Sequence, residues 1–229
     1  YLVQLILSPK PMKHFSLFLF AIVFSLSSNA QVQTVSNQKS IGDLGYLGYL
    51  NATKLADGGF LLSCGSNNGV SGDKSTPSFG SEDIWIIRVD ANYNVVWQKS
   101  FGGLNIDRVL SCTETPEGNL LIAATSNSSI SGNKTVGTNG QTDYWVLKLN
   151  ALGDQIWQKN YGGSDFDMLQ EIEIIDETRY LLAGNSNSNI SGDKTEANRG
   201  ISDVWTVMID SAGTILWEKT IGGDKIENL

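Results

Sequence analysis

Three short loops carry the side chains best suited to ligand chemistry. They are Ser71-Gly72-Asp73-Lys74, Ser131-Gly132-Asn133-Lys134 and Ser191-Gly192-Asp193-Lys194, each preceded by a run of Ser, Asn and Gly. Loops crowded with side-chain oxygens suit Ca²⁺, which takes about 6–8 oxygen ligands and usually several carboxylates. Asp73, Asn133 and Asp193 are the candidate calcium ligands. Each loop brings at most one carboxylate, the middle one has an amide instead, and a Lys stands beside it every time. The competing reading is turn chemistry in an ordered, exposed loop. No other cofactor is indicated.

Three more sets recur with these loops. Trp85, Trp145 and Trp205 form one set of indoles, and Trp97, Trp157 and Trp217 a second. Indoles stack on sugars, but Trp at a fixed phase in strand-like segments fits packing between sheets, with the second set partly exposed. Asp83, Asp143 and Asp203 supply carboxylates, the raw material of acid–base catalysis. A catalytic pair is normally unique in a chain, so a carboxylate that recurs in every unit reads as structural. The pairs Gly102-Gly103, Gly162-Gly163 and Gly222-Gly223 lack the third Gly and the Lys-Ser or Lys-Thr of a phosphate loop. They read as tight crossings, with Asp107 and Asp167 hydrogen-bonding the turn amides.

The one histidine, His14, falls in a segment that reads as an export signal. Met12-Lys13-His14 is a basic start, Phe15 to Leu26 is apolar apart from Ser16 and Ser25, and Ser28-Asn29-Ala30 offers the small residues a signal peptidase reads. The apolar run is too short for a membrane span, which needs about 20 residues. Residues 1–30 are therefore upstream sequence plus signal peptide, starting at Met12 and cleaved before Gln31. The mature segment then has no His, which excludes His-based nucleophilic triads and His-ligated metals within it. No catalytic residue is assigned, and the segment reads as non-enzymatic.

Charge bounds the partners. The net charge is −8, and loss of Lys10 and Lys13 leaves 14 basic against 24 acidic residues, a net of −10. No basic run appears, so nucleic acid is not an expected partner. The chain reads as exported, secreted or at the outer cell surface, and not as an integral membrane protein.

The elements that position these residues follow from a sixty-residue period. Residues 31–40 read as a linker, followed by units at 41–100, 101–160 and 161–220 and a stub at 221–229. The second and third units agree, without a gap, at one position in three. A fixed long period means a repeat architecture. In the second unit four strands are expected, at 106–114, 119–125, 143–150 and 155–159. Thr115-Pro116-Glu117-Gly118 and Ala151-Leu152-Gly153-Asp154 supply the intervening turns. Trp145, Leu147 and Leu149 would point to one face of the third strand, Tyr144 and Val146 to the other. A sheet apolar on both faces must be covered on both.

The expected fold is thus all-β: a β-propeller-type repeat of about three four-stranded blades, incomplete because propellers typically have about 4–8. Both end faces of such a piece are expected to lie uncovered. A right-handed β-solenoid is the alternative. Cys64 and Cys112 sit at different phases, either bridged across adjacent sheets or buried as free thiols.

The string Ser-Gly-(Asp/Asn)-Lys, Asp-x-Trp, Trp-(Gln/Glu)-Lys and a bulky residue before Gly-Gly (Phe101, Tyr161, Ile221) resembles the repeat of secreted bacterial propeller-like proteins. Those proteins commonly end in a type IX secretion sorting domain, which this sequence does not contain. The resemblance spans residues 41–229 and implies display or release at the cell surface, with a protein or glycan as partner and no catalytic residues to carry over. The alternative function is the non-catalytic repeat domain of an exported polysaccharide-degrading enzyme.

Overall fold

The computed structural model describes residues 39–227. The proposed signal peptide, its Met12 start and most of the 31–40 linker lie outside them. The described residues form twelve strands and no α-helix. Four make a first sheet: β1 (Leu47–Lys54), β2 (Phe60–Ser66), β3 (Asp83–Val89) and β4 (Val95–Phe101). The second holds β5 (Asp107–Glu114), β6 (Leu120–Ser126), β7 (Asp143–Leu149) and β8 (Gln155–Tyr161). The third holds β9 (Asp167–Asp176), β10 (Arg179–Ser186), β11 (Asp203–Asp210) and β12 (Ile215–Ile221). Each sheet is an antiparallel meander in chain order. Consecutive units are joined by single parallel bridges, Glu82 with Ile106, Thr142 with Phe166 and Ser202 with Ile226. A solenoid would instead pair whole strands of successive coils in parallel. No helix among the described residues is long and apolar enough to cross a membrane.

β3 and β7 are buried along their whole length, as strands apolar on both faces must be. The sheets pack face to face through these central strands. Trp145, Leu147 and Leu149 meet Leu61, Ile84 and Ile86 of the first sheet in one core. Tyr144 and Val146, on the opposite face, meet Leu182, Trp205 and Val207 of the third in another. The strand across from each central indole makes room for it: Trp85 faces Cys64, Trp145 faces Ala124 and Trp205 faces Gly184. Cys64 is thus a small apolar residue in a place that admits nothing larger.

The last strand of the second unit runs past its expected end at Lys159. β8 continues to Tyr161, which pairs with Tyr144 and is buried because its ring plugs the end of the core between sheets two and three.

The two end faces differ. The outer face of the first sheet is not uncovered: Trp85, Leu62, Cys64 and Ile87 are all buried there, clustered with Ile41 from the segment ahead of β1. The far face of the third sheet is open. Phe101 and Tyr161 are 5% and 3% exposed, whereas their counterpart Ile221 is 54% exposed.

Cys64 and Cys112 are both free. Cys64 faces the outer cluster of the first sheet, while Cys112 packs on the opposite face beside Ser63. The sheet between them rules out a bridge. Burial pushes both thiols up to about 12.

Candidate functional site: the loop rim

The Ser-Gly-(Asp/Asn)-Lys loop links β2 to β3, and its copies link β6 to β7 and β10 to β11. In each, Ser and Lys close a tight antiparallel bridge around the Gly. That Gly is left-handed: φ is +58° at Gly132, and a Cβ there would lie 2.4 Å from the Gly102 carbonyl. Only glycine meets both demands.

The candidate calcium ligands hold the neighbouring turn. The Asn133 N–H donates to the Gly102 carbonyl at 3.1 Å, and Asn133 Oδ1 accepts from the Gly102 N–H at 2.9 Å. Asp193 makes the same two-point clamp on Gly162, and Asp73 on Gly42. The clamp needs one side-chain acceptor and no charge, so Asp and Asn interchange. Asn139 adds a bond to Asp193 Oδ2 at 2.8 Å. Ser131 and Ser191 complete the tie, their hydroxyls accepting from the N–H groups of Leu104 and Ser164. Among the described residues, no group of three or more His, Cys, Asp or Glu comes together.

The loop lysine is the largest departure from an exposed turn. Lys74, Lys134 and Lys194 are each only 1% exposed. The Lys134 ammonium donates to the carbonyls of Ser128 at 3.0 Å and Val136 at 2.7 Å, and lies 5.5 Å from the centre of the Trp145 ring. Lys194 stands at 5.6 Å from Trp205 in the same way. Each loop thus encloses its own cation, attached through a side chain. Burial lowers Lys134 to about 8, against the pull of the Asp107 and Asp143 carboxylates.

Behind the loop stands the first residue after each outer Trp. Gln158 Oε1 accepts from the Trp145 indole at 3.0 Å and from the Thr135 N–H at 3.2 Å, while its Nε2 donates to the Asn133 carbonyl at 2.9 Å. Gln98 does the same for Trp85, Ser75 and Asp73. Glu218 accepts from the Trp205 indole and from Thr195. One side chain thereby ties the central indole to the loop.

The outer indoles reach forward into the next sheet. Trp97 donates to the Ala151 carbonyl and Trp157 to the Ser211 carbonyl, both at 3.1 Å and both in the β-hairpin turn of the following unit. Trp217 is 46% exposed.

The recurring carboxylates sit at the crossings. Asp83 Oδ2 accepts from the Phe79 N–H at 2.6 Å, and Asp203 Oδ2 from Arg199 at the same distance. Asp143 Oδ2 accepts from the N–H of Asn139 and, at 2.7 Å, from the Asn160 amide. Asp107 accepts from the Gly103 N–H at 2.7 Å and from the hydroxyls of Ser126 and Ser128. Asp167 accepts from Gly163 at 2.6 Å and from Ser188 at 2.8 Å. Both members of the first two Gly-Gly pairs are crowded: a Cβ on Gly103 would fall 2.6 Å from the Ser128 Cβ.

The first unit solves the same problem with a different residue. Leu47 occupies the Asp107 phase, and Asp43 occupies the phase of Gly103. From there Asp43 accepts from the Ser66 hydroxyl at 2.6 Å and from the Gly45 N–H at 2.8 Å. The carboxylate keeps its position while its origin in the chain moves by four residues.

A recess of about 310 Å³ opens beside β9, lined by Phe166, Met168, Asn185 and Ile226. It lies along the open edge of the third sheet and gathers no set of catalytic groups. No protein-family model matches the chain, and its sequence has no significant match among characterised proteins.

Proposed function

We propose that the chain is an exported, non-enzymatic β-propeller-type scaffold that binds a protein or a glycan at the cell surface or after secretion. The observation that carries this reading is the inward use of the repeated polar groups. The carboxylates at the crossings, the loop lysines and the central indoles are all buried and hydrogen-bonded within the fold. What each unit leaves to solvent is the loop tip, with Val70, Ile130 and Ile190 exposed at one phase among Ser, Asn and Gly. A rim of similar loops on rigid sheets is a surface for recognition rather than for bond-making. The propeller-type reading is supported by meander sheets stacked face to face and by the forward-reaching tryptophans.

Direct binding tests this. The purified chain is applied to a glycan array and to intact cells, beside a variant in which Val70, Ile130 and Ile190 are replaced by Ser. Specific binding that the triple variant loses is the expected result. Binding to neither, or hydrolysis of a glycan by the chain, would sink the proposal.

A further inference from the structure

At the junction of the first two sheets, two buried carboxylates flank one glycine. A Cβ built on Gly102 would lie 1.9 Å from Asp83 Oδ1 and 3.1 Å from Asp107 Oδ2, so acids from adjoining sheets bracket the same point. At the next junction Asp143 Oδ1 lies 2.2 Å from the corresponding point on Gly162, and Asp167 accepts from the adjacent Gly163 N–H. All four aspartates are fully buried. Asp83 Oδ1 at the first junction, and both Asp143 Oδ1 and Asp167 Oδ1 at the second, are buried and meet no protein donor. Both oxygens of Asp107 have donors, whereas in Asp167 only Oδ2 does, from Gly163 and Ser188.

The charge count at a junction is uneven. Lys134 faces both Asp107 and Asp143, and Lys194 faces Glu218, Asp167, Asp203 and Glu196. Lys74 faces Asp83 and Asp43. Each of these ammonium groups therefore faces two or more carboxylates. Around the second pair stand Lys134 from the β6–β7 loop, Lys194 from the β10–β11 loop and the Tyr144 phenol on β7, with Asp193 reached through Asn139. Around the first stand Lys74, Lys134 and Glu82, the last paired with Arg108 at 3.0 Å. A buried negative charge without a counter-charge is costly, and two neighbouring carboxylates relieve it by holding a proton between them.

We propose that each junction is a proton-binding site, where the carboxylates of two adjoining sheets share one proton. The proton comes from solvent on folding and leaves to solvent on unfolding. It resides on an oxygen that has no donor, Asp83 Oδ1 at the first junction and Asp143 Oδ1 or Asp167 Oδ1 at the second. Burial, and after it the charge of Asp167, lifts the Asp143 carboxyl to about 6. Burial also raises Asp83, Asp107 and Asp167. A folded value above the unfolded one gives a contribution that is complete below about 4 and is lost as pH rises through about 6.

Asparagine imitates the protonated acid. In Asp143→Asn the carbonyl oxygen accepts from Asn139 and Asn160, and the amide N–H replaces the shared proton. Thermal unfolding of the full chain and of Asp143→Asn is followed from pH 4 to 8 at fixed ionic strength, with EDTA, with Na⁺ and with Ca²⁺. The expected result is a common melting temperature at pH 4 and a variant that melts higher once pH passes about 6. Asp83→Asn should repeat this at the first junction, and Asp143→Ala should melt lower at every pH. An offset independent of pH, or an Asp143→Asn chain that fails to fold, overturns the proposal. So does a Ca²⁺ or Na⁺ stabilisation of the wild-type chain that Asp143→Asn abolishes, which would assign a metal ion instead.

Discussion

A methyl group on Gly102 would fall 1.9 Å from Oδ1 of Asp83. The glycine turns the chain out of β4, the aspartate opens β3, and the two motifs are one contact seen from both sides. Gly102→Ala must therefore displace a buried carboxylate, at a cost of about 3 kcal/mol or more. Gly118→Ala is the control: its φ is +78° but nothing stands within 4 Å, so backbone strain alone costs about 1 kcal/mol. Urea denaturation of both variants reads the difference.

Lys134→Met keeps the stem of the side chain and removes its charge. The carbonyls of Ser128 and Val136 lose their buried donor, and the expected cost is about 2–4 kcal/mol near neutral pH. The pH dependence has a definite sign. Lys134 is lowered in the folded chain, so its contribution is complete above the ordinary value of 10.5 and is lost as pH falls through about 8. The stability gap between wild type and Lys134→Met should widen from pH 8 to pH 10, as measured by denaturant midpoints.

The outer tryptophans should not be equivalent. Trp157→Ala removes a half-buried ring and its bond to Ser211, and should cost about 2–3 kcal/mol. Trp217→Ala removes a ring that is 46% exposed and should change stability by about 0.5 kcal/mol or less. Equal losses in calorimetry would mean that the third sheet is covered in solution.

The displaced carboxylate of the first unit can be tested by exchange. Asp43→Gly deprives Ser66 of its acceptor, and Leu47→Asp alone places a second acid beside the first. The double variant restores the arrangement of the second unit. A double-mutant cycle should return a favourable coupling of about 1–3 kcal/mol. Additive losses would show that the two positions are independent.

Period and alternation carried most of the architecture. The Asp-x-Trp strands, apolar on both faces, could only be central strands between two others, and β3 and β7 are buried throughout. The clamp on Gly-Gly was half legible, because both motifs recur but their meeting is a contact between distant segments. The buried lysine was harder to read. A Lys in a polar loop is normally solvated, and only its recurrence at one phase hinted otherwise. The move from Asp107 to Asp43 was hidden by its nature, since aligning phases compares residues and this site conserves a carboxylate position instead. The cover over Trp85 was legible in part, because Ile41 holds the phase of Phe101 and Tyr161 and packs on the first sheet as they pack on the second and third.

The forward reach of Trp97 and Trp157 also sets an order in time. A chain made from its N-terminus presents the Trp97 indole before Ala151 exists, and the Trp157 indole before Ser211. Each sheet thus emerges with one unfinished bond that its successor closes.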